Sequence, residues 1–402
     1  MIDFEPSEEQ RLVQQSVADF AKTAIAPRIR ESEKARAIPE DVRRLAHEMG
    51  LGVMNMPEST GGQGLGMLTS VLVEEELGAA DAAAAFGISG PGAFGTAIVE
   101  LGTAEQAAAW LVDFAANEGL YGAVAWSEAA PNKTRAGFTT IARRDANGYV
   151  ITGKKAFVGN AHLADRFVVF AQVEEEKGWG GIGAFVVKRE APGLVIGGRH
   201  DTLGLDAASF GEIALQGVPV AEDARLLGGG DFTRACLRFF VKRALVIAAR
   251  ALGVARFAFE LAREHCENRT AFGKPIGHFQ AVAFALSDRH MDVESARWML
   301  WKAAHAWDAK LPEKEALFAS AQAAAFALEA AMRTTDDCVG LHGGSGFIRD
   351  LVAEKLMRDA KQLALSCPTA EQLDQIAAAV DLGAPLDPAL VLPTPDTQAV
   401  FT

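Results

Sequence analysis

Arg269-Thr270-Ala271-Phe272-Gly273-Lys274-Pro275-Ile276 puts a permanent cation and an aromatic ring into one short run, and Phe279-Gln280 follows it. A guanidinium offers a planar fork of donors suited to a bidentate grip on pyrophosphate. The plainer alternative is a surface arginine paired with a helix carboxylate. His342-Gly343-Gly344-Ser345-Gly346 lets backbone approach a ligand closely, since glycine has no side chain in the way, or else makes a tight turn between helices. The Gly61 to Gly66 run satisfies a G-x-G-x-x-G-like search, but no strand precedes it, which argues against a phosphate cradle. Cys367 carries a thiol whose pKa of about 8.5 can fall beside cations, although a helix carboxyl end disfavours an anion; the competing reading is a small buried cysteine that fills space. Arg243, if buried, needs a carboxylate partner or an anionic substrate, and otherwise forms a salt bridge on a helix surface.

These residues sit in a chain of 402 residues, 50% apolar and 23% charged, with a net charge of −13. The length suits two or three domains and a large core. The acidic excess repels phosphate backbones and argues against a nucleic-acid partner. Cys236, Cys266, Cys338 and Cys367 lie far apart with no C-x-x-C pair, so neither a disulfide framework nor a zinc ribbon is suggested, and a metal site is not expected. The start, Met1-Ile2-Asp3-Phe4-Glu5-Pro6, lacks the order of a secretory signal, and a reduced, cytoplasmic setting is the expectation. The apolar run from Ala244 to Ala262 is broken by Arg250, Arg256 and Glu260, so it reads as a core helix and not as a membrane span.

Three zones must position the chemistry. From Ser7 to about Asn117 the pattern is helical, with capping boxes at Ser7-Glu8-Glu9-Gln10 and Thr103-Ala104-Glu105-Gln106, and with Pro39 and Gly50 bracketing another helix. From about Leu120 to Leu227 the period is two, with Asn147-Gly148 as a turn; no strand is followed by a helical crossover, so the expectation is an antiparallel β domain. After Gly228-Gly229-Gly230 the helical period returns, predicting helices over Asp231 to Glu267, His278 to Ala309, Pro312 to Val339 and Asp350 to Leu365, a four-helix bundle. The expected domains are 1–118, 119–230 and 231–402, the last ending in a proline-rich surface arm or frayed tail from Gly383.

The order of helices, β domain and bundle, with Arg269 to Gln280, His342 to Phe347 and Glu354-Lys355-Leu356-Met357-Arg358-Asp359-Ala360-Lys361, resembles the acyl-CoA dehydrogenase family. Met56-Pro57-Glu58, Gly61-Gly62-Gln63-Gly64 and Glu74-Glu75-Glu76-Leu77-Gly78 resemble its amino-terminal domain. The resemblance implies an α+β fold of that type, FAD as cofactor, and removal of an α-proton from an acyl-CoA thioester as hydride leaves the β-carbon for flavin N5. It implies FAD contacts at Trp126, Ser127, Phe157, Gly159, Arg269, Phe272, Gln280, Gly340, Gly343, Gly344 and Thr369. It places Lys133, Phe240 and Arg243 near substrate. It also implies a homodimer or homotetramer in which the Arg269 segment reaches the neighbouring subunit's FAD, with electron-transfer flavoprotein or another acceptor taking the electrons.

The chain departs from the family pattern at telling places. Gly340 stands where a glutamine is usual, and Gly159 where a threonine commonly lies beside flavin N5. The usual Pro-Gly-Ala-Gly-Ser-Asp run is Ala129-Ala130-Pro131-Asn132-Lys133-Thr134, and Phe157 takes the place of an indole. The run that should carry the glutamate base is Ser366-Cys367-Pro368-Thr369, and the alternative base position on the first bundle helix is Arg243. Glu371 is a further conceivable base. The base being displaced, the chain reads as an FAD-dependent acyl-CoA dehydrogenase-like enzyme. The alternatives are a same-fold flavin oxidase or monooxygenase, or a catalytically silent subunit of a heteromer.

Overall fold

The computed structural model describes residues 5–88, 90–129, 137–174 and 181–384. Both expected amino-terminal capping boxes form: Ser7 caps α1 (Glu8–Phe20) with Gln10 bonding back, and Thr103 caps α6 (Ala104–Ala116) with Gln106. Between them lie α2 (Ile29–Ala35), α3 (Glu40–Glu48), α4 (Met67–Gly87) and α5 (Gly92–Leu101). Pro39 stands at the N-cap of α3, and Gly50, at φ +72°, follows the helix end. Helix α4 is buried on nearly every side, and it breaks at Asp81 (φ −165°, ψ 111°), whose Oδ1 accepts from the Ala83 amide at 3.0 Å to restart the helix.

The middle region is one sheet with the order β6-β7-β3-β2-β4-β5-β8, formed by β1 (Gly122–Ala125), β2 (Ile141–Asp145), β3 (Gly148–Val158), β4 (Arg166–Val173), β5 (Ile182–Lys188), β6 (Leu194–Arg199), β7 (Gly211–Ala221) and β8 (Arg225–Leu226). Most ladders are antiparallel, but β1 and β2 both pair with β4 in parallel, end to end on one of its edges. No helical crossover is needed, because other strands carry the chain back to the start of β4.

Helix α7 (Phe232–Asn268) runs through the centre of the carboxy-terminal region, followed by a hairpin of β9 (Thr270–Ala271) and β10 (Lys274–Pro275) and then α8 (Gln280–Asp308), α9 (Glu313–Leu341), α10 (Ala353–Ala364) and α11 (Ala370–Asp381). The four long helices end within a few residues of the expected positions, and α11 is an addition to the expected bundle. Its start, Thr369-Ala370-Glu371-Gln372, repeats the tetrapeptide that opens α6 and forms the same capping box. Among the described residues no single helix is long and apolar enough to cross a membrane.

Helices α4 and α7 cross almost backbone to backbone. A β-carbon on Gly78 would lie 2.3 Å from the Arg250 carbonyl oxygen. The consecutive Glu74, Glu75 and Glu76 point in successive directions about 100° apart on the helix, and each meets an arginine. Glu74 binds Arg250, Glu75 binds Arg297, and Glu76 binds Arg256. The Arg358-Asp359-Ala360-Lys361 landmark sits at a junction: Arg358 pairs with Glu33, Asp359 accepts the Leu205 amide at 2.7 Å, and Lys355 bridges Asp359 and Asp81. Helix α10 is thereby fastened to both other regions.

Candidate active site

A cavity of about 300 Å³ lies where α4, α5 and α7 meet the end of β3. Gly159, Asn160, Thr96, Val99, Val246 and Ile247 contribute to its wall, together with six charged side chains. Five of those six are committed. Glu74 accepts from Arg250 Nε and Nη2 at 2.5 and 2.8 Å, and Glu100 pairs with Lys242 at 2.6 Å. Asp308 accepts the Met67 and Leu68 amides at 2.7 and 2.9 Å, capping α4 across the bundle. Gly66 is what lets it approach, since a β-carbon there would lie 2.6 Å from Asp308 Oδ2.

Arg243 is the sixth. Its Nη2 donates to the Ser366 carbonyl at 3.2 Å, which brings it to the end of α10 beside Cys367. Burial pulls its guanidinium down to about 10, with the Cys367 side chain acting the other way. Burial pushes the Cys367 thiol up to about 12 against the opposing pull of Arg243, so it is neutral at physiological pH. Its Sγ reaches only the Leu363 carbonyl, at 3.9 Å. Glu371 lies exposed on the first turn of α11, where backbone amides and the Thr369 hydroxyl hold its carboxyl below the usual range. The structure therefore joins Arg243 to the Ser366-Cys367 turn and gives neither residue the character of a base.

The β-domain candidates divide. The Ser127 carbonyl accepts the Ala156 amide at 2.9 Å, which ties its loop to β3. Phe157 is more than half exposed, adopts φ +57° and stacks near His200 with ring centroids 5.0 Å apart. A bulky residue in the left-handed region is strained, and such residues gather at functional sites. Trp126 packs edge-on against Phe138, Phe170 and Phe240, so its indole belongs to an aromatic cluster. Phe240, expected near substrate, is buried in that cluster and does not line the cavity. Lys133 lies outside the described residues.

Glu128 went unassigned in the sequence beyond its place in the loop. It accepts from the Thr140 amide at 2.9 Å and from Lys155 Nζ at 3.0 Å, and Lys155 also reaches the Trp126 carbonyl. This buried pair braces the loop that carries Ser127. The visible signal was the fixed spacing from Glu128 to Gly153-Lys154-Lys155.

At the far end of the bundle, the rings of His265 on α7 and His342 after α9 lie 4.3 Å apart, which sets Arg269 and the glycine turn at one end. Gly340, Gly343 and Gly344 are exposed, and a β-carbon on any of them would meet nothing within 4 Å. Arg269 is exposed, and among the described residues it has no carboxylate within ion-pair distance. Phe272, at φ +51°, is 96% exposed on the β9–β10 hairpin, and Gln280 opens α8 on the same exposed segment. Thr369 uses its hydroxyl to cap α11.

Comparison with known proteins covers the whole of this arrangement. Residues 7–118 match the acyl-CoA dehydrogenase N-terminal domain, 123–218 its middle domain and 232–380 its C-terminal domain. The chain is 34% identical over 355 residues to cyclohex-1-ene-1-carbonyl-CoA dehydrogenase of Geobacter metallireducens, covering 88% of this chain and 93% of that protein. Among solved structures, butyryl-CoA dehydrogenase from Megasphaera elsdenii superposes with a TM-score of 0.86 at 28% identity, over 95% of this chain and all of that one. A chain from the structure of the electron transferring flavoprotein of Acidaminococcus fermentans gives the same TM-score at 29% identity, over 95% and 100% of the two chains. This chain belongs to the acyl-CoA dehydrogenase family.

Proposed function

We propose that this chain is an FAD-dependent oxidoreductase that acts on the acyl group of a short acyl-CoA thioester by α,β-dehydrogenation. The observation that carries the reading is the cavity of about 300 Å³, walled by α4, α5 and α7 and bounded by Gly159 at the end of the β3 edge. That volume is at the small end for a ligand pocket. It leads from the β-domain edge, where a flavin would lie, to Arg243, which donates to the Ser366 carbonyl.

The residues present fit FAD. The open backbone of Gly340, Gly343 and Gly344 offers a cradle that no side chain fills, and Arg269 at the same end has a free guanidinium for pyrophosphate. Ser127 and the exposed, strained Phe157 stand at the β-domain edge near Gly159, suited to the flavin ring. When bound, FAD supplies the hydride acceptor. The chain's own part is to hold the thioester between α4, α5 and α7, and the α-proton passes to solvent water, since the Cys367 thiol stays protonated and Arg243 stays charged.

The same reading includes a dimer. Phe272 is nearly wholly exposed on a hairpin that projects beyond α7, as expected for a segment completed by a second copy. The electron acceptor we favour is an electron-transfer flavoprotein. The test is anaerobic titration of the purified yellow protein with a panel of short, branched, cyclic, aromatic and ω-carboxylated acyl-CoAs. Bleaching of the flavin band at about 450 nm by at least one of them is the expected result, and no bleaching across the panel rejects the reading.

A second reading, a subunit that completes a partner's site without itself desaturating, is favoured by one observation. Every carboxylate lining the cavity among the described residues is already bound to a cation or to helix amides. Co-purification with a glutamate-bearing homologue selects this reading, and thioester turnover by the homomer excludes it.

A further inference from the structure

Arg243 is the one cation lining the cavity that lacks an anionic partner among the described residues. Lys242 has Glu100 and Arg250 has Glu74, while Arg243 has only the Ser366 carbonyl. That bond engages one of its five N–H donors, and the side chain lines the cavity. A desolvated, unpaired guanidinium is costly, and cavities of this kind are built around such a group when the ligand brings the opposite charge. The nearby charged groups do not supply it: Arg250 repels Arg243, and the Cys367 thiol is neutral.

We infer that the acyl chain accepted by this cavity ends in a carboxylate that pairs with Arg243, so that the substrate class is a short ω-carboxyacyl thioester and not a plain fatty acyl thioester. The inference rests on the acyl-thioester reading above. Arg243 is then a specificity-determining residue: its planar fork matches a carboxylate in two-point geometry, and an acyl chain ending in a methyl group leaves it unpaired. Rejection of the neutral chain follows from the same cost that makes the empty cavity unfavourable.

The test is calorimetric binding of chain-matched pairs to the FAD-loaded protein: succinyl-CoA against butyryl-CoA, and glutaryl-CoA against pentanoyl-CoA. The expected result is that at least one dicarboxylic member binds about tenfold or more tighter than its neutral match, a difference of about 1.4 kcal/mol. Arg243→Met should abolish that preference by weakening the dicarboxylic member at least as far as its neutral match, and Arg243→Lys should keep part of it. Equal or tighter binding of the neutral member of both pairs overturns the inference, and this comparison needs no variant. Equal loss of affinity for both members in Arg243→Met also overturns it, since the arginine would then act on the shared thioester. If none of the four thioesters binds, the acyl-thioester reading falls and takes the inference with it.

Discussion

The carbonyl oxygen of Glu75 on α4 lies 2.1 Å from where a β-carbon on Gly253 of α7 would stand. Real side chains do not tolerate that separation, and the obstacle is backbone, which cannot swing aside. Gly253→Ala should therefore force α4 and α7 apart and cost about 3 kcal/mol or more. Because these helices wall the cavity, a lowered melting temperature should be accompanied by weaker acyl-CoA binding. An unchanged melting temperature would show that the crossing is not tight.

Glu74 and Arg250 form a bidentate pair with both side chains more than nine-tenths buried. Glu74→Gln leaves a guanidinium uncompensated and should destabilise the fold by about 3–5 kcal/mol. Glu74→Leu combined with Arg250→Met removes both charges and should recover much of the loss. A double-mutant cycle by denaturant unfolding measures the coupling, and additive single effects would contradict it.

Cys367 should stay a thiol well above neutral pH, since burial pushes it up to about 12. Its alkylation by iodoacetamide should remain slow at pH 9, and Cys367→Ser should leave any pH–rate profile unshifted. Cys367→Glu would set a carboxylate beside Arg243, whose charge should hold it ionised and weakly basic. A rise in dehydrogenase activity above that of the unsubstituted chain should therefore require Cys367→Glu together with Arg243→Met. Full activity from the single substitution would show that Arg243 does not reach the new carboxylate.

Lys155 is held down to about 8 by burial, with Glu128 opposing the shift. Between about pH 8 and the ordinary lysine value the unfolded chain binds a proton that the folded chain has released. This group's contribution to stability therefore rises with pH across that window, and below it the cost of burying the charge is fully present. Glu128→Gln removes the compensating anion and lowers Lys155 further, so its destabilisation should be greatest near neutral pH and shrink towards pH 10. Thermal melts of both proteins across that range check the trend, and a loss independent of pH would refute it.

Phe272 at φ +51° is 96% exposed and meets only the Phe279 ring edge-on, at 6.2 Å between centroids, among the described residues. Phe272→Gly should stabilise an isolated protomer by about 1 kcal/mol yet weaken subunit association and FAD retention. Sedimentation and flavin content on dialysis separate the two effects. Unaltered association would remove Phe272 from the interface.

Legibility of the site followed how local each signal was. The two amino-terminal capping boxes and the long helices depend on neighbours within four residues and form where expected, while the turn falls one residue early, at Ala146-Asn147, with Gly148 already paired to Asp145. Helix α11 carried the same Thr-Ala-Glu-Gln start as α6 and was legible in principle. Strands β6 and β7, by contrast, are paired through bulges, which disturb simple alternation. The identity of the residues at the Arg243 and Cys367 positions was plain in the sequence, as was the absence of a carboxylate at either.

The sequence by itself determined the family and the three-zone order, because those are carried by residue type and spacing. Only the tertiary structure decided that Phe240 turns into an aromatic cluster while Arg243, three residues on, faces the cavity. It likewise decided that Glu74 and Glu100 meet cations while Arg243 meets a carbonyl oxygen. Ion pairing and burial arise between segments more than a hundred residues apart, and a helix's own period does not specify which of its faces meets which neighbour.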